Sequence, residues 1–382
     1  MILGLSVTHQ CNVSCRYCGS IERKYDNQQV TPIGYKEICN LLDIGRDYKI
    51  THLTITGGEP FLRKDIFEIL EYAHELDYTI SMFSNGTLIN KERAEKLSKI
   101  SHLNRVRVSM ESPQKDLFEY YRGERTYKKA LTGIKNLIKY NVPIGVGFTA
   151  YPENVSSIED MAAFCAAKGI PLLRVMFGVS VHRAENVTFS REFIKEVVTR
   201  IIKVIHKSNY VTIEPLNPKT AINILSARES PAGKYYYYVD SAGRLVPCPF
   251  IPEECSDVLR IQKVESVRDF ERMRDYMSGL SERIYHHARG ACRTCELRSK
   301  CKGGCLTEKI TKGCTIYDEQ PTCIKHILEE ATRKFKRGEI KSVLDLWVYC
   351  LYQWKITQMT DMLCIRQLPV WTILLNVEEF SH

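Results

Sequence analysis

Three cysteines near the start of the chain have the types and spacing for iron chemistry. Cys11, Cys15 and Cys18 are spaced C-x3-C-x2-C in Cys11-Asn-Val-Ser-Cys15-Arg-Tyr-Cys18, just after the apolar run Ile2 to Val7. Three thiolates hold three irons of a cubane iron–sulfur cluster, whereas a fully protein-ligated electron-transfer cluster uses four. No further cysteine comes before Cys39, so one iron is left for a non-protein ligand, a substrate or a cofactor. The other use of C-x2-C spacing is half of a zinc site. Cys39 and Cys165 fall on apolar faces of predicted helices and read as core residues.

A second motif, Gly57-Gly58-Glu59-Pro60, ends the strand-like stretch His52 to Thr56. Two glycines permit a turn that approaches a ligand closely and leaves peptide groups able to hydrogen-bond it. The Glu59 carboxylate is an acceptor for an ammonium group. Alone the motif is an ordinary glycine turn; its weight comes from following the cysteine trio.

With these two motifs the chain resembles the radical S-adenosylmethionine (SAM) enzymes, with Tyr17 at the aromatic position before the third cysteine. The resemblance implies that Cys11, Cys15 and Cys18 hold a 4Fe-4S cluster whose open iron chelates the amine and carboxylate of SAM. One electron then cleaves SAM to a 5′-deoxyadenosyl radical. It also implies that the Gly57 to Pro60 segment binds the methionine amino group. Ser84-Asn85 closes the next predicted strand, and Ser109-Met110-Glu111 the one after. The latter resembles the family's S-x-D segment, with Ser109 at the ribose or carboxylate end of the cofactor and Glu111 in place of the usual Asp. Arg122-Gly123 resembles its R-G element, which makes Arg122 a candidate partner for a carboxylate. The alternative for Arg122 is a surface pair with Glu119 or Glu124.

A second group of thiols lies far downstream. Cys248, Cys255, Cys292, Cys295, Cys301, Cys305, Cys314 and Cys323 are enough for two fully ligated 4Fe-4S clusters. The run C-x2-C-x5-C-x3-C, with Gly243-x4-Cys248 before it and Asp318-x4-Cys323 after it, resembles the SPASM auxiliary-cluster domain of peptide-modifying radical enzymes. Carried over, Cys292, Cys295, Cys301 and Cys323 hold a distal cluster, while Cys248 and Cys305 belong to a proximal one. The pattern also expects a cysteine upstream of Gly243, and none occurs between Cys165 and Cys248. Cys255 and Cys314 can fill that vacancy, or the proximal cluster keeps an open iron. The alternative for the region is a pair of all-cysteine zinc sites.

The elements that must position these groups are legible from periodicity. Strands are expected at Leu3 to Thr8, His52 to Thr56, Thr79 to Phe83, Val106 to Met110, Ile144 to Thr149 and Leu172 to Phe177. Helices are expected at Tyr35 to Ile44, Asp65 to Glu75, Glu92 to Lys99, Thr126 to Tyr140, Ser157 to Ala167 and Ser190 to Lys207. In the fourth helix Leu131, Ile134, Leu137 and Ile138 form one apolar stripe. This alternation is an α/β pattern, and the resemblance makes it a partial (β/α)6 TIM-like barrel followed by a small cysteine-rich domain. Active sites of such barrels gather at the C-terminal ends of the strands, where all the motifs above fall. The ends Phe148-Thr149-Ala150 and Met176-Phe177-Gly178 are expected to face the adenine or substrate. The expected division is 1–209 for the barrel, 210–335 for the auxiliary-cluster region and 336–382 for an aromatic tail. The second region opens with a hairpin turning at Asp240 to Gly243; the tail holds Trp347, Trp354, Trp371, Cys350 and Cys364.

The 382 residues, 44% hydrophobic and 26% charged, suit a soluble globular protein of two domains. No apolar run is long enough to span a bilayer, and the start lacks a signal-peptide pattern. A cytoplasmic location is therefore expected, where fifteen cysteines point to metal rather than disulfides. The net charge of +9 is spread among acids, which argues against nucleic acid. The function expected from the resemblance is reductive cleavage of SAM and hydrogen-atom abstraction from a ribosomal peptide or protein. The alternatives are a small-molecule substrate, such as a sugar alcohol or tetrapyrrole, and a non-catalytic iron–sulfur electron carrier. An electron donor such as flavodoxin or ferredoxin is the implied partner. No catalytic residue is assigned from sequence.

Overall fold

The computed structural model describes residues 1–18, 31–178, 183, 187, 189–207, 212–215, 230–251, 258–295, 298–319 and 323. All six expected strands form: β1 (Ile2–Ser6), β2 (His52–Thr56), β3 (Thr79–Ser84), β4 (Leu103–Ser109), β5 (Ile144–Ala150) and β6 (Leu172–Phe177). They pair side by side in sequence order and are all parallel, with β7 (Thr212–Pro215) added beyond β6. Parallel neighbours need a crossover, and helices supply it. These are α1 (Tyr35–Asp47), α2 (Ile66–Glu75), α3 (Lys91–Ser98), α4 (Lys115–Arg122), α5 (Tyr127–Lys139), α6 (Ile158–Ala167) and α7 (Arg191–Lys207).

One face of the sheet is the core. Leu5, Ile55, Ile80, Val108 and Val146 are fully buried, under helix residues such as Ile38, Ile69 and Leu137. The α5 stripe is rotated slightly from the expected one: Ala130, Ile134 and Leu137 are buried, while Leu131 is half-buried and Ile138 exposed. At the two strand ends expected to face the adenine or substrate, exposure differs from residue to residue. Phe148, Ala150 and Phe177 are core residues, and the half-buried positions beside them are Thr149 and Met176. The alternation of strand side chains puts successive residues on opposite faces.

The expected hairpin forms from β8 (Tyr236–Val239) and β9 (Leu245–Val246). Its turn is held by Asp240, whose Oδ1 accepts from Ala242 N (3.1 Å) and Arg244 N (3.0 Å). The hairpin does not stand apart: β8 pairs parallel with β1, from Ile2↔Tyr236 to Leu5↔Val239, and so extends the sheet to nine strands. Tyr237, fully buried, shares a hydroxyl contact of 3.0 Å with Tyr48 at the end of α1.

Two helices outside the cysteine run were not anticipated. The first is α4. The second is α8 (Val267–His287), whose buried Phe270, Met273, Met277, Leu280 and Ile284 recur at helical spacing. Phe270 stacks on Tyr48 at 5.2 Å, so α8 joins the sheet layer to the cysteine run that follows it. The short helices α9 (Arg298–Cys301) and α10 (Leu306–Thr311) lie in that run. Cys255, the 216–229 stretch and the 336–382 tail with its tryptophans lie outside the described residues. No helix among the described residues is long and apolar enough to cross a membrane.

Candidate cofactor and cluster sites

The loop after β2 lies flat on the segment that leads into the cysteine trio. Gly58 N donates to Thr8 O and Glu59 N to Gln10 O, both at 2.7 Å. Gly57 has φ +135°, and a Cβ there would sit 2.4 Å from Thr8 O; a Cβ on Gly58 would sit 1.9 Å from Gln10 O. Only glycine fits such an approach. The sequence reading expected these glycines to approach a ligand with free peptide groups. The approach is to the protein's own backbone, and the N–H groups of Gly58 and Glu59 are already used.

Glu59 is likewise turned inward. It is fully buried and accepts from Phe61 N (3.3 Å), Ser84 Oγ (2.9 Å) and Asn85 N (2.8 Å). Burial pushes its carboxyl above the usual range, against the opposing pull of the bonds from Asn85 and Ser84. Through these bonds Glu59 ties the β2 end to the β3 end. Pro60, also buried, starts the single turn Pro60–Leu62.

Asn85 is oriented by that tie and reaches the cysteine loop. Its Nδ2 lies 3.9 Å from Cys11 Sγ and 2.9 Å from Asn12 Oδ1, and Asn12 Nδ2 donates to Thr87 Oγ1 (2.8 Å). On the opposite side, Arg122 closes α4 just before Gly123, whose φ of +97° suits the turn. Its guanidinium grips both oxygens of Glu111, with Nε to Oε2 at 2.5 Å, and its Nη1 donates to Cys15 Sγ (3.4 Å). The carboxylate partner is therefore Glu111, neither Glu119 nor Glu124. Glu111 in the S-x-D position is long enough to meet the guanidinium in fork geometry.

The electrostatics follow the geometry. Burial penalises the Arg122 cation, but Glu111 and then Cys15 outweigh it, so Arg122 titrates well above its ordinary value. Burial pushes the Cys15 thiol up, and Arg122 works against that rise. Ser109 ends β4 half-buried.

A cluster of tyrosines seats the third cysteine. The Tyr17 ring lies 4.9 Å from Tyr151 and 5.8 Å from Tyr121. Tyr17 and Tyr121 donate to the two oxygens of Glu153 (3.1 and 3.0 Å), and Tyr151 donates to Tyr17 O (2.9 Å). Arg16 N donates to Tyr121 O (2.9 Å), which fixes the loop to α4. Sequence reasoning missed Asn12, Thr87, Tyr121, Tyr151 and Glu153. They act through contacts between distant strand ends, and spacing along the chain carries no mark of them. Cys11, Cys15 and Cys18 are the residue types a cubane needs and share one half-exposed loop, with N–H donors from Asn85 and Arg122 pointing at two of the sulfurs; among the described residues no three His, Cys, Asp or Glu side chains are gathered closely enough to hold a metal ion.

The downstream cysteines fall into two neighbourhoods. Burial pushes the Cys301 thiol up, with Cys292 and then Cys295 adding to the rise. Burial also lifts Cys248 to about 11, with Cys305 beside it, and Thr307 Oγ1 lies 3.7 Å from Cys248 Sγ. Between the two groups lies Lys309, almost fully buried, whose Nζ donates to Ile316 O (3.0 Å). Burial lowers its pKa while Cys292, Cys301 and Cys305 oppose that fall. Cys314 follows α10, its N–H donating to Lys309 O (2.9 Å).

Residues 5–165 match the Radical SAM superfamily. That span contains the trio, the glycine turn, Asn85 and the Glu111–Arg122 pair. It is a radical SAM domain, and the radical SAM fold binds SAM and a 4Fe-4S cluster. Mycofactocin maturase MftC of Mycolicibacterium smegmatis is 22% identical over 327 residues, covering 84% of this chain and 81% of that protein. AdoMet-dependent heme synthase of Nitratidesulfovibrio vulgaris is 23% identical over 351 residues, covering 84% and 91%. Crystal structures of Streptococcus suis SuiB share the fold. With SAM bound the TM-score is 0.68 at 16% identity, covering 84% of this chain and 76% of that one. With the precursor peptide SuiA bound it is 0.69 at 17% identity, covering 84% and 75%.

Proposed function

We propose that this enzyme cleaves SAM reductively at Cys11, Cys15 and Cys18 and uses the resulting radical to abstract a hydrogen atom from a peptide. The observation that carries the reading is the convergence of Asn85 and Arg122, from separate strand–helix units, on two thiols of one trio at the strand ends. When bound, the cluster supplies the electron that breaks the sulfonium bond. The chain's own residues set its surroundings: Gly57 and Gly58 seat the loop, the Glu111–Arg122 pair fixes Cys15, and the tyrosines wall the Cys18 side. The sheet then keeps water and stray hydrogen donors from a reactive radical.

The peptide substrate is supported by the likeness to MftC over most of both chains and by the shared fold of SuiB, solved with a precursor peptide. The second reading, a small-molecule substrate such as a tetrapyrrole, is favoured by the match to heme synthase. We assign the auxiliary thiols as a distal set, Cys292, Cys295, Cys301 and Cys323, and a proximal set, Cys248 and Cys305 with Cys255 and Cys314. The cytoplasm, where thiols stay reduced, is the compartment this chemistry needs, and residues 1–209, 210–335 and 336–382 are the proposed divisions.

The test of substrate class is isotope transfer. With candidate precursor peptides deuterated at side-chain carbons, deuterium is expected in 5′-deoxyadenosine, and the peptide is expected to accelerate its formation. Transfer from a deuterated small molecule, with none from peptides, would establish the second reading.

A further inference from the structure

The reading above requires one electron from outside for each SAM cleaved, and this inference rests on it. Beside the cysteine loop, among the described residues, lies a groove of about 760 Å³ with a strongly basic lining. Arg93 of α3, Lys115 of α4, Arg125 of the turn that follows, and Lys128 and Lys129 of α5 face it. Glu119 is the one carboxylate among its lining residues. Lys115, Arg125, Lys128 and Lys129 are exposed, and among the described residues none has an ion-pair partner. Asp116 and Glu124 are exposed nearby but do not line the groove.

The groove wall is connected to the cluster loop. Thr87 lines the groove, accepts from Asn12 Nδ2 (2.8 Å) and donates to Asn85 Oδ1 (2.6 Å). Asn85 Nδ2 in turn lies 3.9 Å from Cys11 Sγ. A protein seated in the groove is thus separated from the first cluster thiol by two hydrogen-bonded side chains. A patch of uncompensated cations draws an anionic partner and speeds its encounter.

We propose that this groove docks an acidic one-electron donor protein and that the electron enters the cluster on the Cys11 side. One electron leaves the donor, which is oxidised by one unit, and enters the cluster, which is reduced by one. That electron is then consumed in breaking the sulfonium carbon–sulfur bond of SAM.

The test uses the reconstituted holoprotein and its Lys128→Glu/Lys129→Glu variant, with a reduced flavodoxin and a reduced ferredoxin as separate probes. The readout is the rate at which cluster absorbance bleaches, at low and high salt. Charge reversal is expected to slow reduction by one of the two probes about tenfold at low salt and to flatten its salt dependence. Dithionite, which needs no docking, is expected to drive 5′-deoxyadenosine formation equally in both proteins. Unchanged rates with both probes would overturn the proposal. So would weakened binding of an acidic peptide with donor rates intact, because the groove would then serve the substrate. Bleaching does not depend on SAM cleavage, so a protein that is reduced normally yet forms no 5′-deoxyadenosine with dithionite counts against the proposed function alone.

Discussion

Replacing Arg122 with Met is expected to destabilise the protein by about 3–5 kcal/mol, the cost of leaving one member of a buried ion pair without its partner. The Glu111 side chain is only 3% exposed and both of its oxygens are held by the one guanidinium. Met fills similar space and cannot neutralise it. Urea unfolding of the intact chain measures the loss. Adding Glu111→Gln to the Met variant removes the stranded charge and is expected to recover much of the stability, whereas Glu111→Gln alone is expected to be the milder change. Cys15 gives a second readout. Arg122 opposes the rise that burial imposes on that thiol, so the Met variant is also expected to bind iron poorly at the first site. The double variant, refolded but still lacking the cation, is expected to keep that iron defect. A loss below about 1 kcal/mol, the range of an exposed pair, would contradict the account of this pair as buried and structural.

Gly58→Ala is expected to abolish assembly of the first cluster while leaving iron at the downstream cysteines. The added Cβ would lie 1.9 Å from Gln10 O, a backbone atom that cannot rotate away. The chain must part there, losing the 2.7 Å bonds from Gly58 N to Thr8 O and from Glu59 N to Gln10 O. Overpacking of this kind costs about 1–3 kcal/mol, a tolerable loss for the fold. The position of Cys11, directly beyond Gln10, is not expected to survive it. Iron per chain and the spectroscopic signal of the SAM-binding cluster report the effect. Gly147→Ala is the control: nothing lies within 4 Å of the Cβ it would add, and its iron content is expected to match the parent.

Much of this architecture was legible in the sequence because its signals are local. His52–Thr56 and Leu172–Phe177 form as read, since short β-rich apolar runs bounded by turn residues specify strands without tertiary help. The cysteine trio was legible for the same reason. The helix at Lys115–Arg122 was not, because its two buried residues, Phe118 and Tyr121, are too few to establish a period. The helix at Val267–His287 carries a regular stripe, Phe270, Met273, Met277, Leu280 and Ile284, diluted by the many charged residues between. The pairing of β8 with β1 was invisible because strand partners far apart in sequence leave no mark on either strand.

The site shows the same division. Residue type and motif single out Glu59 and Arg122, but not which residues of the chain meet them. Within the chain Glu59 accepts from Ser84 and Asn85, and Arg122 donates to Glu111 and Cys15. Burial decides both cases. A carboxylate inside the protein must be hydrogen-bonded by whatever folding brings beside it, and that is a property of packing between units.

The most direct measurement is 5′-deoxyadenosine formed by anaerobically reconstituted, reduced protein given SAM, for the intact chain beside a Cys11→Ala/Cys15→Ala/Cys18→Ala variant. The intact chain is expected to form it, and the variant to form none while retaining iron at its downstream cysteines. If the intact chain carries a full iron load and still forms none, or if the variant forms as much, the account of Cys11, Cys15 and Cys18 as the site of SAM cleavage is wrong.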